Sequence, residues 1–219
     1  MALQAILFDH DGTLVDSEAT HLQLWRQVVA PFGVEIRDQD YWELMLGVPV
    51  ERNAADLIRL YGLEAEAADL VNAKLDANSR FLAGSFFPAM AGADNVLQDL
   101  AGRLRLGLVS GSQRNCVEAS LQGHGWTSLF EQVVTGDDVR RNKPQPDGYL
   151  KALELMQLEA CHCLAVEDTE VGVRAAQAAG LPVIAIRSPL AGSHDFSAAC
   201  AVVDSLTGAR DWITTEFKL

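Results

Sequence analysis

Phe8-Asp9-His10-Asp11-Gly12-Thr13-Leu14 follows an apolar segment, Leu3 to Phe8, that only Gln4 interrupts. The apolar run predicts a buried strand ending in two carboxylates. Side chains alternate along an extended chain, so Asp9 and Asp11 are expected on one side and His10 on the other. Gly12 permits a sharp turn directly afterwards. Two carboxylates this close repel each other unless a cation or a shared proton relieves them. The stretch is therefore a candidate site for a hard cation such as Mg²⁺ and for acid–base chemistry. It is equally the pattern of a solvated Asp-Gly turn closing a strand, so the rest of the chain has to decide.

Downstream of this stretch the periodicity changes. Leu22, Trp25, Val28, Val29 and Phe32 fall at helical spacing, with Asp16 or Ser17 placed to cap the start and Gly33 to close it. Helices are also expected over 38–46, from Pro49 to Gly62, and over 64–82. From Phe86 strands and helices alternate. Strands are expected at 104–109, 132–135, 163–166, 182–186 and 201–203, with helices at 93–101, 113–123, 147–156, 169–179 and 205–213. That alternation predicts a parallel sheet covered on both faces. The expected fold class is α/β. A doubly wound, Rossmann-like parallel-sheet core is assigned to 1–15 and 87–219, and the inserted helices of 16–86 form an α-helical cap over it. In such sheets ligands bind beyond the C-terminal ends of the strands. The polar groups expected there are Asp9 and Asp11, Ser110, and Glu167 with Asp168.

Composition narrows the possible partners. The chain has 219 residues, 49% of them hydrophobic, which is enough for a sizeable core, and a formal net charge of -13. That acidity argues against nucleic acid or an anionic membrane as partner, while leaving room for a small phosphorylated molecule held by local basic groups. No basic N-terminal region and no long apolar run is visible, so a cytoplasmic location is expected. Cys161 and Cys163 are too close for the usual zinc pair and no clustered histidine completes a site. Buried reduced thiols are expected for these and for Cys116 and Cys200. Oligomeric state has no signature in the sequence.

Three further stretches carry chemistry. Glu167-Asp168 can share a divalent cation with Asp9 or cap the helix that follows. Ser110-Gly111-Ser112 offers a hydroxyl and backbone N–H groups at a helix start, suited to a phosphate or again to capping. Asn142-Lys143-Pro144-Gln145-Pro146 holds Lys143 in a stiffened loop as a point charge.

Together the four stretches resemble the haloacid dehalogenase superfamily of phosphotransferases. The matching segments are F-D-H-D-G-T-L-V-D-S-E at 8–18, L-V-S-G-S at 108–112, N-K-P-Q-P-D at 142–147 and V-E-D-T-E-V-G-V-R-A-A at 166–176. The resemblance implies Asp9 as nucleophile, forming an aspartyl-phosphate, and Asp11 as the acid and base serving the leaving oxygen and the attacking water. It implies Ser110, with Gly111, and Lys143 as holders of the transferring phosphoryl group. It further implies Mg²⁺ on Asp9, the Asp11 backbone carbonyl and Asp168, with Glu167 in direct contact or one shell out. Asp11 argues against halide removal, since the superfamily's dehalogenases lack that acid.

Within the superfamily the chain looks like the branch of β-phosphoglucomutase and small sugar-phosphate phosphatases, on the pattern E-A-T-H-L-Q-L-W at 18–25. His21 is then a candidate to influence Asp11, or a surface histidine of the cap. Arg52 and Arg114 are candidate substrate contacts. Two departures weaken the mutase resemblance. Thr13 stands where mutases of this group commonly have valine, and Gly47-Val48-Pro49-Val50-Glu51-Arg52 lacks their Ser-Arg pair. The expected function is Mg²⁺-dependent hydrolysis of a small phosphorylated metabolite, a sugar phosphate. A hexose-phosphate mutase is the alternative, and a non-catalytic binding protein on the same fold the third reading.

Overall fold

The structure is a computed structural model that describes residues 2–46, 48–187 and 194–219. Two compact units emerge, one formed by Met1–Asp16 with Phe87–Leu219 and the other by Ser17–Phe86.

The larger unit is built on a six-stranded, all-parallel sheet of strands β1 Ala5–Phe8, β2 Arg105–Val109, β3 Gln132–Val134, β4 Cys163–Glu167, β5 Val183–Ile186 and β6 Ala201–Val203. Their order across the sheet is β3-β2-β1-β4-β5-β6. The chain thus winds outward from β1 on one side, then returns to lay β4 on the other, and ligands bind at such a reversal. Every residue of β1 and β4 is buried. Both faces of these strands are covered, which is why they read as unbroken apolar runs rather than alternating ones.

The helices of this unit are α5 Ala93–Ala101, α6 Arg114–Gly123, α7 Asp147–Met156, α8 Glu170–Ala178 and α9 Leu206–Phe217. On one face of the sheet Ala5 and Leu7 pack with Tyr149, Ala152 and Met156 of α7 and with Val173 and Ala176 of α8. The apolar residues of α7 recur at helical spacing, as that packing requires.

The second unit is helical, with α1 Ser17–Val29, α2 Asp38–Leu44, α3 Val50–Tyr61 and α4 Ala67–Leu82. Its own core gathers Leu22, Trp25, Val29, Tyr41, Met45, Ala54, Leu57 and Leu70. The Tyr41 hydroxyl, buried with its ring, donates to Glu18 Oε2 at 2.6 Å. The chain leaves and re-enters the sheet unit at neighbouring points: Asp16 N–H donates to Pro88 O at 2.8 Å, and Val15 bridges Ala89.

Candidate active site

The Asp9 carboxylate stands one residue past β1. Its backbone N–H still donates to Val166 O of β4 at 2.9 Å, so the strand pairing that shapes β1 also fixes this residue. The regular strand stops at Phe8, and the alternation expected for Asp9, His10 and Asp11 stops with it. Leu14 and Val15 N–H both donate to His10 O, and Gly12 takes φ +76. His10 is not turned away from Asp11, as simple alternation predicts. The backbone coils into a turn, and His10 Nδ1 lies 3.3 Å from Asp11 Oδ2.

Asp11 is held by the second stretch. Ser112 Oγ donates to Asp11 Oδ2 at 2.7 Å and Ser110 Oγ donates to the same oxygen at 3.2 Å. Ser110 Oγ in turn accepts the Ser112 N–H at 3.0 Å. Neither serine caps α6, whose N-cap position is Gln113 with no side-chain cap bond. Gly111 is exposed, and a Cβ there would meet open space. Packing does not demand glycine at that position.

Lys143 reaches the same crevice. Its ammonium donates to Asp9 Oδ1 and, at 2.9 Å, to Val109 O, and it pairs with Glu167 Oε1 at 2.7 Å. Burial draws this ammonium down, but Asp9 and Glu167 outweigh burial and hold it above the ordinary lysine value. It is charged throughout the physiological range.

Glu167 and Asp168 end β4 beside Asp9. The helix cap alternative fails for both, because Thr169 caps α8, its Oγ1 accepting Gly172 N–H at 3.1 Å. The carboxylates are left to the crevice. Asp9, Glu167 and Asp168 each offer an oxygen within 4.8 Å of the others, and all three residues are buried. Burial raises all three, Asp9 above its usual value with Asp11 adding to the rise, Glu167 to about 7 and Asp168 well above the carboxylate range, both with the Asp9 charge adding to it. Lys143 relieves part of this charge.

A hard cation fits the remainder. Asp168 Oδ1 and Glu167 Oε2 are buried and accept no hydrogen bond among the described residues. A Cβ on Gly12 would overlap the Asp168 carboxylate, and one on Gly172 would overlap that of Glu167. Both glycines are therefore needed to seat these groups. The donor set is entirely oxygen, the preference of Mg²⁺. The Asp11 side chain does not belong to this set, and its Oδ2 is taken up by the two serines.

Two participants escaped the sequence reading. Tyr149 is fully buried on α7 and its hydroxyl donates to Glu167 Oε1 at 2.6 Å. Its place in the apolar stripe of Ala152, Leu153 and Met156 marks it as sheet-facing, and a buried phenol needs a polar partner. The other is Ser112, quoted in its motif but given no task of its own.

Of the remaining candidates, Arg114 belongs to the sheet unit and Arg52 and His21 to the helical unit. Arg52 is exposed and pairs with Asp56 at 2.8 Å along α3. Gly47, in the same stretch, lies outside the described residues. Arg114 is occupied by Glu118 at 3.3 Å and by Asp138, and its backbone N–H donates to Asp137 at 2.9 Å. His21 is half-buried in the helical unit, and the buried Lys74 of α4 lies 3.2 Å from its Nδ1 and above the Trp25 ring. With Lys74 charged, Nδ1 of His21 is the acceptor.

Comparison with known proteins places this geometry in company. The family model described as haloacid dehalogenase-like hydrolase matches residues 6–186. The chain is 31% identical over 182 residues to fructose-1-phosphate phosphatase YqaB of Escherichia coli (strain K12), covering 83% of this chain and 95% of that one. It is 32% identical over 218 residues to protein CbbY of Rhodobacter capsulatus, covering 95% and 96%. A crystal structure of a CbbY variant from Rhodobacter sphaeroides in complex with xylulose-(1,5)bisphosphate superposes with a TM-score of 0.75 at 28% identity, over 93% of this chain and 95% of that chain.

Proposed function

The chain belongs to the haloacid dehalogenase-like hydrolases, and from that premise we propose that it is a Mg²⁺-dependent phosphatase of a small sugar phosphate, with Asp9 as nucleophile. The observation that carries the reading is the convergence of Asp9, Asp11 and Asp168, just past the ends of adjacent strands, with Lys143 from the segment between β3 and α7. A non-catalytic protein has no need of three buried carboxylates whose proton affinity burial raises.

The Lys143 ammonium holds Asp9 Oδ1 and orients the carboxylate. An Asp9 oxygen attacks phosphorus, the bond to the sugar oxygen breaks, and Asp11 gives that oxygen its proton. Asp11, then anionic, takes a proton from the water that attacks the aspartyl-phosphate, which restores both carboxyl groups. The Ser112 hydroxyl keeps Asp11 aimed, and the Ser110 hydroxyl turns from Asp11 to the phosphoryl group when substrate binds. Ser110 and Lys143 supply donors for the equatorial oxygens as charge spreads over them. Asp9, Asp168 and the Asp11 carbonyl would hold Mg²⁺, with Glu167 at its side. Bound Mg²⁺ supplies positive charge that lets an anionic nucleophile approach an anionic ester. The sugar-phosphate class rests on the names of the relatives, two of which concern phosphorylated ketoses.

A mutase reading draws support from one observation, the buried Lys74 beside His21, since a mutase needs a cation in its helical unit for a second phosphate. Arg52 does not supply one, being turned to Asp56 at the surface.

The test is phosphate release from fructose 1-phosphate, xylulose 1,5-bisphosphate, glucose phosphates, phosphoglycolate and nucleotides, with and without Mg²⁺. Release that needs both Mg²⁺ and Asp9, judged by Asp9→Asn, supports the phosphatase. Isomerisation of β-glucose 1-phosphate with a bisphosphate primer and no net release would replace it with the mutase.

A further inference from the structure

The expectation of four buried thiols fails at one place that matters. Cys116 and Cys163 are buried, whereas Cys161 and Cys200 are exposed. Cys161 does have a clustered histidine. Glu159, Cys161 and His162 place one donor atom each within 4.8 Å of the others, on the short turn Ala160–His162 that leads into β4. This turn lies at the N-terminal end of β4, the opposite end of the strand from Glu167.

The spacing is that of a metal site. Cys161 Sγ lies 3.7 Å from Glu159 Oε2 and 3.8 Å from His162 Nδ1. Zinc–sulfur bonds of about 2.3 Å and zinc–nitrogen or zinc–oxygen bonds of about 2.0–2.1 Å, at tetrahedral angles, put sulfur roughly 3.5 Å from each of the other donors. A shift of a few tenths of an ångström would bring Cys161 Sγ to that separation from each of the other two donors. The backbone beneath is already fixed. His162 N–H donates to Glu159 O at 3.0 Å, and Gln4 N–H donates to His162 O at 2.8 Å. Glu159 and Cys161 are exposed, so an ion has a way in.

We infer that Glu159, Cys161 and His162 form a second metal site, for a thiophilic divalent ion of the zinc class, with three protein donors and a fourth position for water. Donor chemistry separates it from the carboxylate crevice. Sulfur and imidazole select zinc-class ions, while an all-oxygen set suits Mg²⁺. Binding releases the Cys161 thiol proton to solvent as the metal–sulfur bond forms, so it strengthens as pH rises.

Co²⁺ is the probe, added to the full chain under a non-chelating reductant with Mg²⁺ in large excess to occupy the oxygen site. One equivalent is expected to produce the sulfur-to-cobalt charge-transfer band and the intense visible bands of a tetrahedral ion, and Zn²⁺ is expected to erase them. Cys161→Ser removes the charge-transfer band. His162→Ala and Glu159→Gln weaken Co²⁺ binding by about 10-fold or more. Cys200→Ser leaves the spectrum unchanged, and phosphate release in every variant reports that the fold is intact. A wild-type titration without the charge-transfer band overturns the site. So does a band that survives Cys161→Ser or vanishes in Cys200→Ser, and so do titrations that His162→Ala and Glu159→Gln leave unmoved.

Discussion

Lys143 is the residue on which the site's charge balance turns. One ammonium serves Asp9, Glu167 and a strand-end carbonyl, and removing it leaves buried carboxylates uncompensated. Lys143→Met is expected to cut kcat by about 10³-fold or more, as loss of a donor to a developing charge does. The same substitution lowers thermal stability in the absence of Mg²⁺. Both are read by steady-state phosphate release and by thermal melts. Ser112 acts through Asp11. Ser112→Ala is expected to lower kcat by about 10-fold, less than the roughly 10²–10⁴-fold that the acid–base group itself contributes, with KM little changed and the pH profile displaced. A pH–rate profile identical to wild type would remove Ser112 from the mechanism. Asp9, Asp11 and Asp168 were legible in the sequence because each follows a strand signal, where a carboxylate is costly unless used. Ser112 and Tyr149 were not, since a serine near a helix start reads as a cap and a tyrosine in an apolar stripe reads as core.

At the scale of elements, period and breakers located nearly every helix and strand, with ends displaced by a few residues: α4 starts at Ala67 and α9 continues to Phe217. Caps were harder, because Asp, Glu, Ser and Thr adjacent in sequence compete for one geometry. Thr169 takes the cap of α8 because its Oγ1 meets the Gly172 N–H, and that leaves Asp168 to the crevice. A second cap carries a pH signature. Asp138 Oδ2 accepts Thr135 N–H at 2.8 Å and Thr135 Oγ1 at 2.9 Å, and Arg114 pairs with it. Burial pushes Asp138 up, but these donors outweigh burial and hold it below the usual 3.8. A carboxyl lowered by folding adds stability that is whole above its unfolded value and lost as pH falls through the folded one. Asp138→Asn should therefore cost stability near neutrality, and the gap from wild type should shrink as pH falls below about 4. Denaturant titrations across that range measure it, and a gap independent of pH would contradict it. In the helical unit, Leu57 is 1% exposed in the core of α1, α3 and α4. Leu57→Ala is expected to cost about 2–5 kcal/mol by the same method.

For the molecule as a whole, the proposed Mg²⁺ site in the carboxylate crevice predicts a stability that depends on Mg²⁺. An ion bound only by the folded state at a hundredfold its dissociation constant adds about 2.7 kcal/mol, and the melting temperature should rise with Mg²⁺ accordingly. Asp168→Asn should abolish most of that rise, because Asp168 Oδ1 has no other partner among the described residues. An undiminished rise in this variant would place the ion elsewhere. No helix among the described residues is long and apolar enough to cross a membrane. The doubly wound sheet was legible because β1 and β4 needed no pattern subtler than continuous burial.

The insertion point has a kinetic meaning. Phe8 pairs in the sheet with Leu108, about a hundred residues further along, so β1 and β2 are a high-contact-order pair. Closing so long an unstructured loop is entropically costly, and the cost grows with loop length. Asp16 and Pro88 touch, so once residues 17–86 have folded the effective loop from Phe8 to Leu108 shortens to residues 9–16 and 88–107. The helical unit is therefore expected to fold ahead of the central strand pair. Trp25 and Trp42 report on that unit, and Trp126 and Trp212 on the sheet unit. In stopped-flow refolding of single-tryptophan variants, the first two should reach native fluorescence before the last two. The opposite order would mean that β1 finds β2 across an open chain.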